Sequence, residues 1–172
     1  MGNTHSPIED GLPSIEQLKS KVFEAVQRLL ENDSFLIEKQ IHEMALSFRL
    51  GFYLVERFEP DFDVDCEYNR ELDNPKRRDN SRDPNSQRPD VIVHKRGENS
   101  SNLIVIEIKK SHSSKTAISE RRNIEDWMAA ERFYRLGVRV AFEWQDSSAI
   151  GEVQFKTRDC SWEVSQKFIK RS

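Results

Sequence analysis

Apolar residues spaced three or four positions apart predict two helices in the first third of the chain. The first begins after Ser14, a residue type favoured at helix N-caps, and continues to about residue 32. The second covers residues 38–58, where one apolar stripe is formed by Ile41, Ala45, Phe48, Phe52 and Val55 and is widened by Leu46, Leu50 and Leu54. A stripe this wide predicts a helix that is largely buried.

Alternation and short apolar runs predict three strands in the middle of the chain. Residues 62–68 alternate, so that Phe62, Val64, Cys66 and Tyr68 share one face and acidic side chains the other. Two apolar runs, residues 88–94 and 103–109, are joined by a turn-forming segment that contains Gly97. We expect these two runs to pair as a hairpin.

Segments of different character surround these strands. Residues 70–87 are rich in Asn, Asp, Arg, Ser and Pro, so we expect a flexible loop that is either functional or disordered. A helix over residues 116–136, ended by Gly137, is predicted to precede strands at residues 138–144, 151–156 and 161–164. This order of elements predicts a mixed α/β (α+β) fold with helices packed on a central sheet.

Length and charge narrow the class of protein. A chain of 172 residues fits one domain, expected over residues 14–172 after a flexible N-terminus of residues 1–13. With neither a bilayer-spanning apolar segment nor a secretory signal, it is expected to be cytoplasmic and without membrane contact. Two distant cysteines indicate neither a disulfide framework nor a zinc site. The net charge of −3 argues mildly against general binding of polyanions.

The residues suited to chemistry are concentrated between residues 88 and 109. Glu107 and Lys109 alternate with isoleucines, so the carboxylate and the ammonium share one face of a strand. Asp90 stands at the start of the preceding strand, and pairing of the two strands would bring it toward Glu107. Two close carboxylates repel each other, and a divalent cation between them relieves that repulsion.

The ligand type selects the cation that such a site would hold. Oxygen ligands without a cysteine or histidine cluster favour Mg²⁺, with Mn²⁺ as its substitute, over Zn²⁺. Such an ion polarises a phosphoryl oxygen and lowers the pKa of a bound water, while Lys109 orients that water or stabilises the transition-state charge. Asp90, Glu107 and Lys109 are therefore the smallest set able to hydrolyse a phosphate ester.

The same residues resemble the signature of a known family. Pro89-Asp90, a spacer and Glu107-Ile108-Lys109 are similar to the motif of the PD-(D/E)XK nuclease superfamily. The resemblance implies a restriction endonuclease-like three-layer core, a central mixed β-sheet flanked by helices, and Mg²⁺-dependent hydrolysis of phosphodiester bonds in nucleic acid, with DNA as the expected substrate. It also implies an acidic residue on an earlier helix, matched by Glu43, and a further metal ligand from the backbone carbonyl of Ile108.

Simpler explanations compete with each of these assignments. Glu107 and Lys109 could form an exposed ion pair, and Asp90 could be an ordinary turn residue. Glu43 could face solvent or pair with Arg49. For the whole chain, the alternative function is a non-catalytic nuclease-like module that binds nucleic acid or a partner protein, and a third is hydrolysis of another phosphate ester. A homodimer would suit cleavage of both strands of a duplex.

Further polar residues are candidate contacts for nucleic acid, each with an ordinary surface role as its alternative. They are Glu67, Tyr68, Asn69, Arg70, Lys76, Arg77, Arg78, Arg121 and Arg122. His94 shares the strand face of Asp90 by alternation, although a single histidine is more often structural. The aromatic residues predicted for the core are Trp127, Phe133, Tyr134, Phe142 and Trp144.

Overall fold

The structure is a computed structural model that describes residues 11–68, 70–71, 74–75, 88–98, 100–110, 114–129, 133–164 and 166–171. Within these ranges the helices are α1 (Ile15–Glu38), α2 (Glu43–Phe58) and α3 (Ser114–Met128). The strands are β1 (Asp63–Cys66), β2 (Arg70–Glu71), β3 (Asn74–Pro75), β4 (Val91–His94), β5 (Ile104–Lys109), β6 (Leu136–Gln145), β7 (Ser148–Thr157) and β8 (Gln166–Arg171).

The strands form one six-stranded mixed sheet in the order β1-β4-β5-β6-β7-β8, and β2 pairs with β3 separately. Neighbours in the large sheet are antiparallel except β5 and β6, which run parallel with α3 between them in the chain. A parallel pair needs a long crossover connection, and this helix lies within it. The predicted mixed α/β fold, with helices on a central sheet, is confirmed, as is the hairpin of β4 and β5.

The boundary between the first two helices differs from the prediction. Ser14 caps α1 in a capping box with Gln17, as its residue type predicted. α1 then continues past a kink at Asp33 to Glu38, and α2 begins at Glu43 instead of residue 38. Between them Gln40 has a φ of 50°, a left-handed conformation typical of helix ends. Among the described residues, no helix has the length and apolar content that crossing a bilayer requires.

The buried side of α2 is not the predicted stripe. Leu46, Leu50 and Leu54 are fully buried, whereas Phe48 is 62% exposed and Phe52 is 46% exposed. Large apolar residues stand on both sides of this helix, so periodicity by itself does not say which side meets the sheet. The leucines face inward because they pack into the main apolar cluster between α1, α2 and the sheet.

The two faces of the sheet are covered by different helices. The isoleucines of β5 join the larger apolar cluster with α1 and α2. Val105, between them, belongs to a smaller cluster with Ile124 and Trp127 of α3. Alternation along β5 is therefore confirmed, and the face that carries Glu107 is the face that α3 covers. The result is a sheet between two helical layers.

The C-terminal half departs from the predicted boundaries. α3 ends at Met128 rather than at residue 136, and Gly137 lies inside β6 instead of closing a helix. A Cβ atom on Gly137 would overlap Ile124 and Met128, so the missing side chain lets α3 lie close to the sheet. Residues 161–164 are not a strand, and β8 takes that place.

Other predictions concern the ends, the long loop and one aromatic residue. Residues 1–10, 72–73 and 76–87 lie outside the described residues, and β2 and β3 pair within the predicted loop of residues 70–87. Leu12 packs against the core and the carbonyl of Pro13 accepts a 2.6 Å hydrogen bond from Arg135, so these two residues contact the fold. Phe133 is exposed, so its prediction as a core residue was wrong.

Candidate active site

Asp90 lies beside β5 at the end of the β4–β5 hairpin. Val91 pairs with Ile106, and one further step of this register places Asp90 opposite Glu107. Because opposite residues of antiparallel strands point to the same face, both carboxyl groups belong to the α3 face. The backbone N–H of Ile108 donates a 2.6 Å hydrogen bond to Asp90 Oδ2. Asp90 is therefore anchored to the strand that carries the other two motif residues.

Glu107 is buried beneath α3. Its exposed fraction is 5%, and the indole Nε1–H of Trp127, itself fully buried, donates to Glu107 Oε1 at 3.3 Å. A carboxylate in this position differs from the exposed ion pair that was the simpler explanation. Burial of a carboxyl group is costly unless it is paired or hydrogen-bonded, and the bond from Trp127 offsets part of that cost.

Lys109 connects the end of β5 to the start of α2. Its Nζ lies 3.0 Å from Glu43 Oε2, and the backbone N–H of Lys110 donates to Glu43 Oε1 at 3.3 Å. Glu43 is the first residue of α2, where an acidic side chain also complements the helix dipole. The alternative partner of Glu43 is engaged elsewhere, since Arg49 pairs with Asp33 at 3.0 Å.

The electrostatics of the site follow from burial and from this concentration of acids. Burial raises the pKa of Asp90 to about 6; the Ile108 N–H and Lys109 oppose that rise, and Glu67 and Glu43 add to it. Burial acts to lower the pKa of Lys109, but the attraction of Asp90, Glu43 and Glu107 outweighs it, and the net shift is upward. Lys109 therefore keeps its proton at neutral pH.

The residues can be compared with what a divalent metal requires. Within the described ranges, no group of three or more His, Cys, Asp or Glu side chains is arranged so that it could hold a metal ion. Mg²⁺, however, commonly binds through one or two carboxylates and keeps several waters. Asp90 and Glu107 offer oxygen ligands from facing positions, so the chemistry of these donors fits a hard dication.

The strand end before the long loop is tied to the hairpin. The N–H of Glu67 donates to the Asp90 carbonyl at 3.2 Å, and Glu67 has a φ of 51°, which turns the chain. The Tyr68 ring then lies 4.7 Å from the ring of His94, measured between centroids. His94 bonds to Asp65 at 2.9 Å, so its position is that of a structural residue.

Two of the basic candidates for nucleic-acid contact, Arg121 and Arg122, lie on α3. Arg121 donates to Gln154 at 3.0 Å and stacks over Trp162 at 5.4 Å, and Arg122 is exposed on α3. The other candidates, Asn69, Lys76, Arg77, Arg78 and the side chain of Arg70, lie outside the described residues.

A buried ion pair beside the site was missed by sequence reasoning. Arg139 of β6 is 1% exposed, and its Nε lies 2.6 Å from Oε2 of Glu120 on α3. Arg139 is also the register partner of Glu107 on the neighbouring strand. A signal was present in the sequence, because an arginine interrupts the apolar run of residues 136–142.

The motif residues come together as the hairpin predicted, and Glu43 joins them through Lys109. Asp90 and Glu107 are held by Ile108 and Trp127, two contacts that no motif describes. Similarity to the PD-(D/E)XK superfamily stays a prediction from the motif. Comparison of the chain with protein-family models, curated proteins and solved structures finds no significant match.

Proposed function

We propose that the protein is a metal-dependent nuclease that hydrolyses phosphodiester bonds in DNA. One observation carries the proposal: Asp90 is held beside Glu107 by the Ile108 N–H, and Lys109 of the same strand lies 3.0 Å from Glu43. Several carboxylates around one cation combine candidate metal ligands with a donor for an anionic oxygen, which is what phosphodiester hydrolysis needs. The choice of DNA as substrate rests on the resemblance of the motif.

Asp90 and Glu107 would hold Mg²⁺, or Mn²⁺ in its place, with Glu43 and the backbone carbonyl of Ile108 as further candidate ligands. When bound, the ion supplies polarisation of a phosphoryl oxygen and a lower pKa for a ligated water. The chain's own contribution is to orient these ligands. The Ile108 N–H holds Asp90 and the Trp127 indole holds Glu107, so both carboxyl groups are positioned by their surroundings.

Lys109 acts as a hydrogen-bond donor in this proposal. Because its pKa is raised, it stays an ammonium at neutral pH and does not accept the proton of the attacking water. It donates instead to a phosphate oxygen or to that water, and so stabilises negative charge that develops in the transition state. Glu43 holds the ammonium at the strand end until a phosphate competes for it.

Cleavage of plasmid DNA and labelled oligonucleotides in Mg²⁺ tests the proposal. Lys109→Ala is expected to lower kcat on the order of 100- to 1000-fold, the usual effect of losing one charge-stabilising donor. Asp90→Ala is expected to have a similar effect, and EDTA to stop the wild-type reaction. Lys170→Ala alters an exposed lysine on β8 and is the matched control. Equal turnover by wild type and folded Lys109→Ala across a Mg²⁺ titration would rule out this site.

A non-catalytic module that binds nucleic acid is the second candidate function. The Glu43–Lys109 ion pair favours it, because each charge is satisfied without a metal or a substrate. A module of this kind binds DNA with the same affinity in Mg²⁺ and in EDTA, whereas the proposed nuclease binds more tightly with a divalent ion. Fluorescence anisotropy of a labelled duplex, measured once with Ca²⁺ as the divalent ion and once with EDTA, separates these two candidate functions.

A homodimer is compatible with the proposed nuclease. Met44 is 60% exposed and forms an apolar stripe with Phe48 and Phe52 along α2, which begins at Glu43. Packed on the same stripe of a second copy, α2 would bring two candidate sites into one two-fold assembly. Light scattering is expected to give a dimer mass for wild type and for the control Ile169→Glu, and a monomer mass for Phe48→Glu. A monomer mass for wild type would reject the dimer and would leave the proposed chemistry of the site unaffected.

A further inference from the structure

One face of α3 lies on the sheet, and the buried side chains described on it are spaced as a single helical stripe. They are Glu120, Ile124, Trp127 and Met128. The three apolar members all belong to the C-terminal half of the helix. Of the side chains described between residues 117 and 123, Glu120 alone is buried, and Ile118 is 72% exposed. In this first half, the buried contact with the sheet is therefore made by a charged residue.

The partner of Glu120 is Arg139, a buried residue of β6. Arg139 Nε donates to Glu120 Oε2 at 2.6 Å. Arg139 also lies opposite Glu107 across the parallel strands β5 and β6, so both side chains belong to the face that α3 covers. One row of the sheet thus carries a candidate site residue on β5 and the partner of Glu120 on β6.

α3 contacts both members of this row. The Trp127 indole donates to Glu107 Oε1 at 3.3 Å, and Glu120 accepts from Arg139. Trp127 follows Glu120 by seven residues, which is two helical turns or about 10 Å along the helix axis. A helix displaced by one residue would also be rotated by about 100° and would lose both contacts. Together the two contacts fix the position and the rotation of α3 on the sheet.

The apolar contacts of α3 constrain this register less. Apolar burial is non-directional and depends mainly on the area removed from water. The helix lies close to β6 at Gly137, where a Cβ atom would overlap Ile124 and Met128. This close approach sets the distance between helix and sheet, but a glycine has no side chain with which the helix could interlock. The ion pair of Glu120 and Arg139, in contrast, can form in one register only.

The Glu120–Arg139 pair is not arranged for the greatest stability. Both side chains are buried, and among the described residues Glu120 Oε1 and Arg139 Nη2 have no hydrogen-bond partner. A buried pair of this kind often stabilises a fold no more than apolar residues of similar volume do. The best-attested use of buried polar groups is to specify one register among those that apolar packing would allow.

We propose that Glu120 and Arg139 are positioning residues, whose ion pair sets the register of α3 and so places the Trp127 indole on the Glu107 carboxylate. The inference rests on the proposed nuclease function, in which Glu107 is a candidate ligand of the metal. A hydrogen bond to such a ligand orients its carboxylate. The candidate site therefore depends on β6 and on the first half of α3 as well as on β5.

The indole N–H signals in nuclear magnetic resonance spectra of isotope-labelled protein test the inference without a metal or a substrate. The chain has three tryptophans, and Trp127→Phe assigns the signal of interest. Glu120→Ala is the test variant, because Arg139 then still lies 3.5 Å from Glu152 and its charge keeps a partner. The Trp127 signal is expected to shift, and its hydrogen exchange to become about tenfold faster, because the bond to Glu107 is no longer held in place.

Glu125→Ala is the matched control, because it removes another carboxylate of α3, one that accepts from the Trp162 indole at 2.8 Å. It is expected to shift the Trp162 signal and to leave the Trp127 signal in place. Backbone N–H groups of β7 report on global stability in the same experiment. Unchanged exchange of the Trp127 indole in folded Glu120→Ala would overturn the inference. Equal acceleration at this indole and in β7 would also overturn it, since Glu120 would then act on stability alone.

The double variant Arg139→Met/Glu120→Leu decides the case in which Glu120→Ala does not fold. It leaves no charge at either position, so the fold is expected to be retained. Its Trp127 signal is expected to shift and to exchange faster, because the apolar replacements do not specify a register. A double variant with the wild-type signal and exchange rate would contradict the inference. Glu120→Gln keeps an oxygen acceptor for Arg139 Nε and is expected to keep the wild-type signal.

Binding of Mn²⁺ connects the inference to the function on which it rests. Glu120→Ala is expected to bind Mn²⁺ about tenfold more weakly than wild type does, as is usual when the support of a metal ligand is lost. Wild type that binds Mn²⁺ and cleaves DNA, with the Trp127 signal and the Mn²⁺ affinity unchanged in Glu120→Ala, would reject the positioning role and leave the nuclease. A shifted Trp127 signal in a protein that neither binds Mn²⁺ nor cleaves DNA would support the positioning role and reject the nuclease.

Discussion

The two faces of the central sheet are built from the same strands but bury different side chains. Under α1 and α2 the strands present aliphatic and aromatic groups that belong to the larger cluster. Under α3 one row across three strands consists of Glu107, Arg139 and Gln154, and Asp90 continues it beside β5. A small apolar cluster around Trp127 covers part of this polar face.

This difference separates the residues that stabilise the fold from the residues that form the candidate site. Burial of apolar area contributes roughly 25 cal/mol per Å², so the α1/α2 face supplies most of the folding free energy. Buried charges lose favourable hydration, and only ionic or hydrogen-bonded partners offset that loss. The α3 face therefore contributes less to the folding free energy, and its contribution depends on each contact. A protein keeps a costly buried polar face when that face serves another purpose, which here is the proposed catalysis.

The largest expected effect comes from breaking the buried ion pair on the α3 face. Arg139→Ala leaves the Glu120 carboxylate buried without its partner and is expected to lower the free energy of unfolding by about 3–5 kcal/mol. Urea denaturation followed by circular dichroism measures it. Among the described residues, Arg139 Nη2 and Glu120 Oε1 already have no hydrogen-bond partner, so this network is incompletely satisfied.

The double variant Arg139→Met/Glu120→Leu sharpens the first prediction. Arg139 Nη1 also lies 3.5 Å from Glu152 Oε1, but Glu152 keeps a second partner, because Lys167 Nζ lies 3.7 Å from its Oε2. Removing Arg139 and Glu120 together therefore eliminates the carboxylate that would be buried without a partner, and the free energy of unfolding is expected to equal or exceed that of wild type. A double variant as unstable as Arg139→Ala would mean that the ion pair itself stabilises the fold. That result would contradict the view that the α3 face contributes less to the folding free energy than the α1/α2 face.

A smaller effect is expected from the apolar face. Ile106→Ala removes a fully buried side chain of β5 and is expected to lower the free energy of unfolding by about 3 kcal/mol. Because Ile106 points away from Glu107, catalytic turnover of the folded protein is expected to stay within about twofold of wild type under the proposed function. Loss of turnover without loss of stability would contradict the separation of the two faces.

Next in size is the effect of Asp65, an acid on the α3 face that is not one of the candidate site residues. Burial acts to raise the pKa of Asp65, but His94 and Arg96 outweigh it and lower that pKa well below its usual range. The carboxylate therefore stabilises the fold above the unfolded-state pKa of about 3.9, and this stability is lost as pH falls toward the folded-state value. Asp65→Asn is expected to cost about 2 kcal/mol at pH 7.

The pH dependence is the decisive measurement for Asp65. The difference in unfolding free energy between wild type and Asp65→Asn is expected to become smaller as pH is lowered from 5 to 3, because an aspartate of the unfolded chain titrates in about this range. Asp159→Asn, at an exposed position, is the control. A difference that does not change over this range would show that the charge of Asp65 is not what stabilises the fold.

The smallest expected effect on stability comes from Ser14, at the start of α1 on the apolar side of the sheet. Ser14→Ala removes the side chain that accepts from the Gln17 N–H and is expected to lower the free energy of unfolding by about 1 kcal/mol. Ser20→Ala, an exposed serine of α1, controls for a general effect of alanine. A loss near that of Asp65→Asn would indicate that polar contacts matter equally on both sides of the sheet.

Part of the candidate site could be predicted from local pattern. Alternation along β5 placed Glu107 and Lys109 on one face because a strand has a period of two wherever it lies. Pairing of β4 with β5, which brings Asp90 toward Glu107, was also expected, since the turn-forming segment of residues 95–102 joins the two apolar runs. The contacts from Trp127 and Glu43 were not predictable in geometry, because they depend on how α3 and α2 approach the sheet.

By itself the sequence determined the class of fold, the β4–β5 hairpin and the identity of the motif residues, because these follow from short-range periodicity and residue type. Only the tertiary structure decided which side of α2 is buried, where α3 ends and that Arg139 lies beside Glu107. Each of these depends on contacts between segments distant in the chain, and the free energy of such packing overrides local preference.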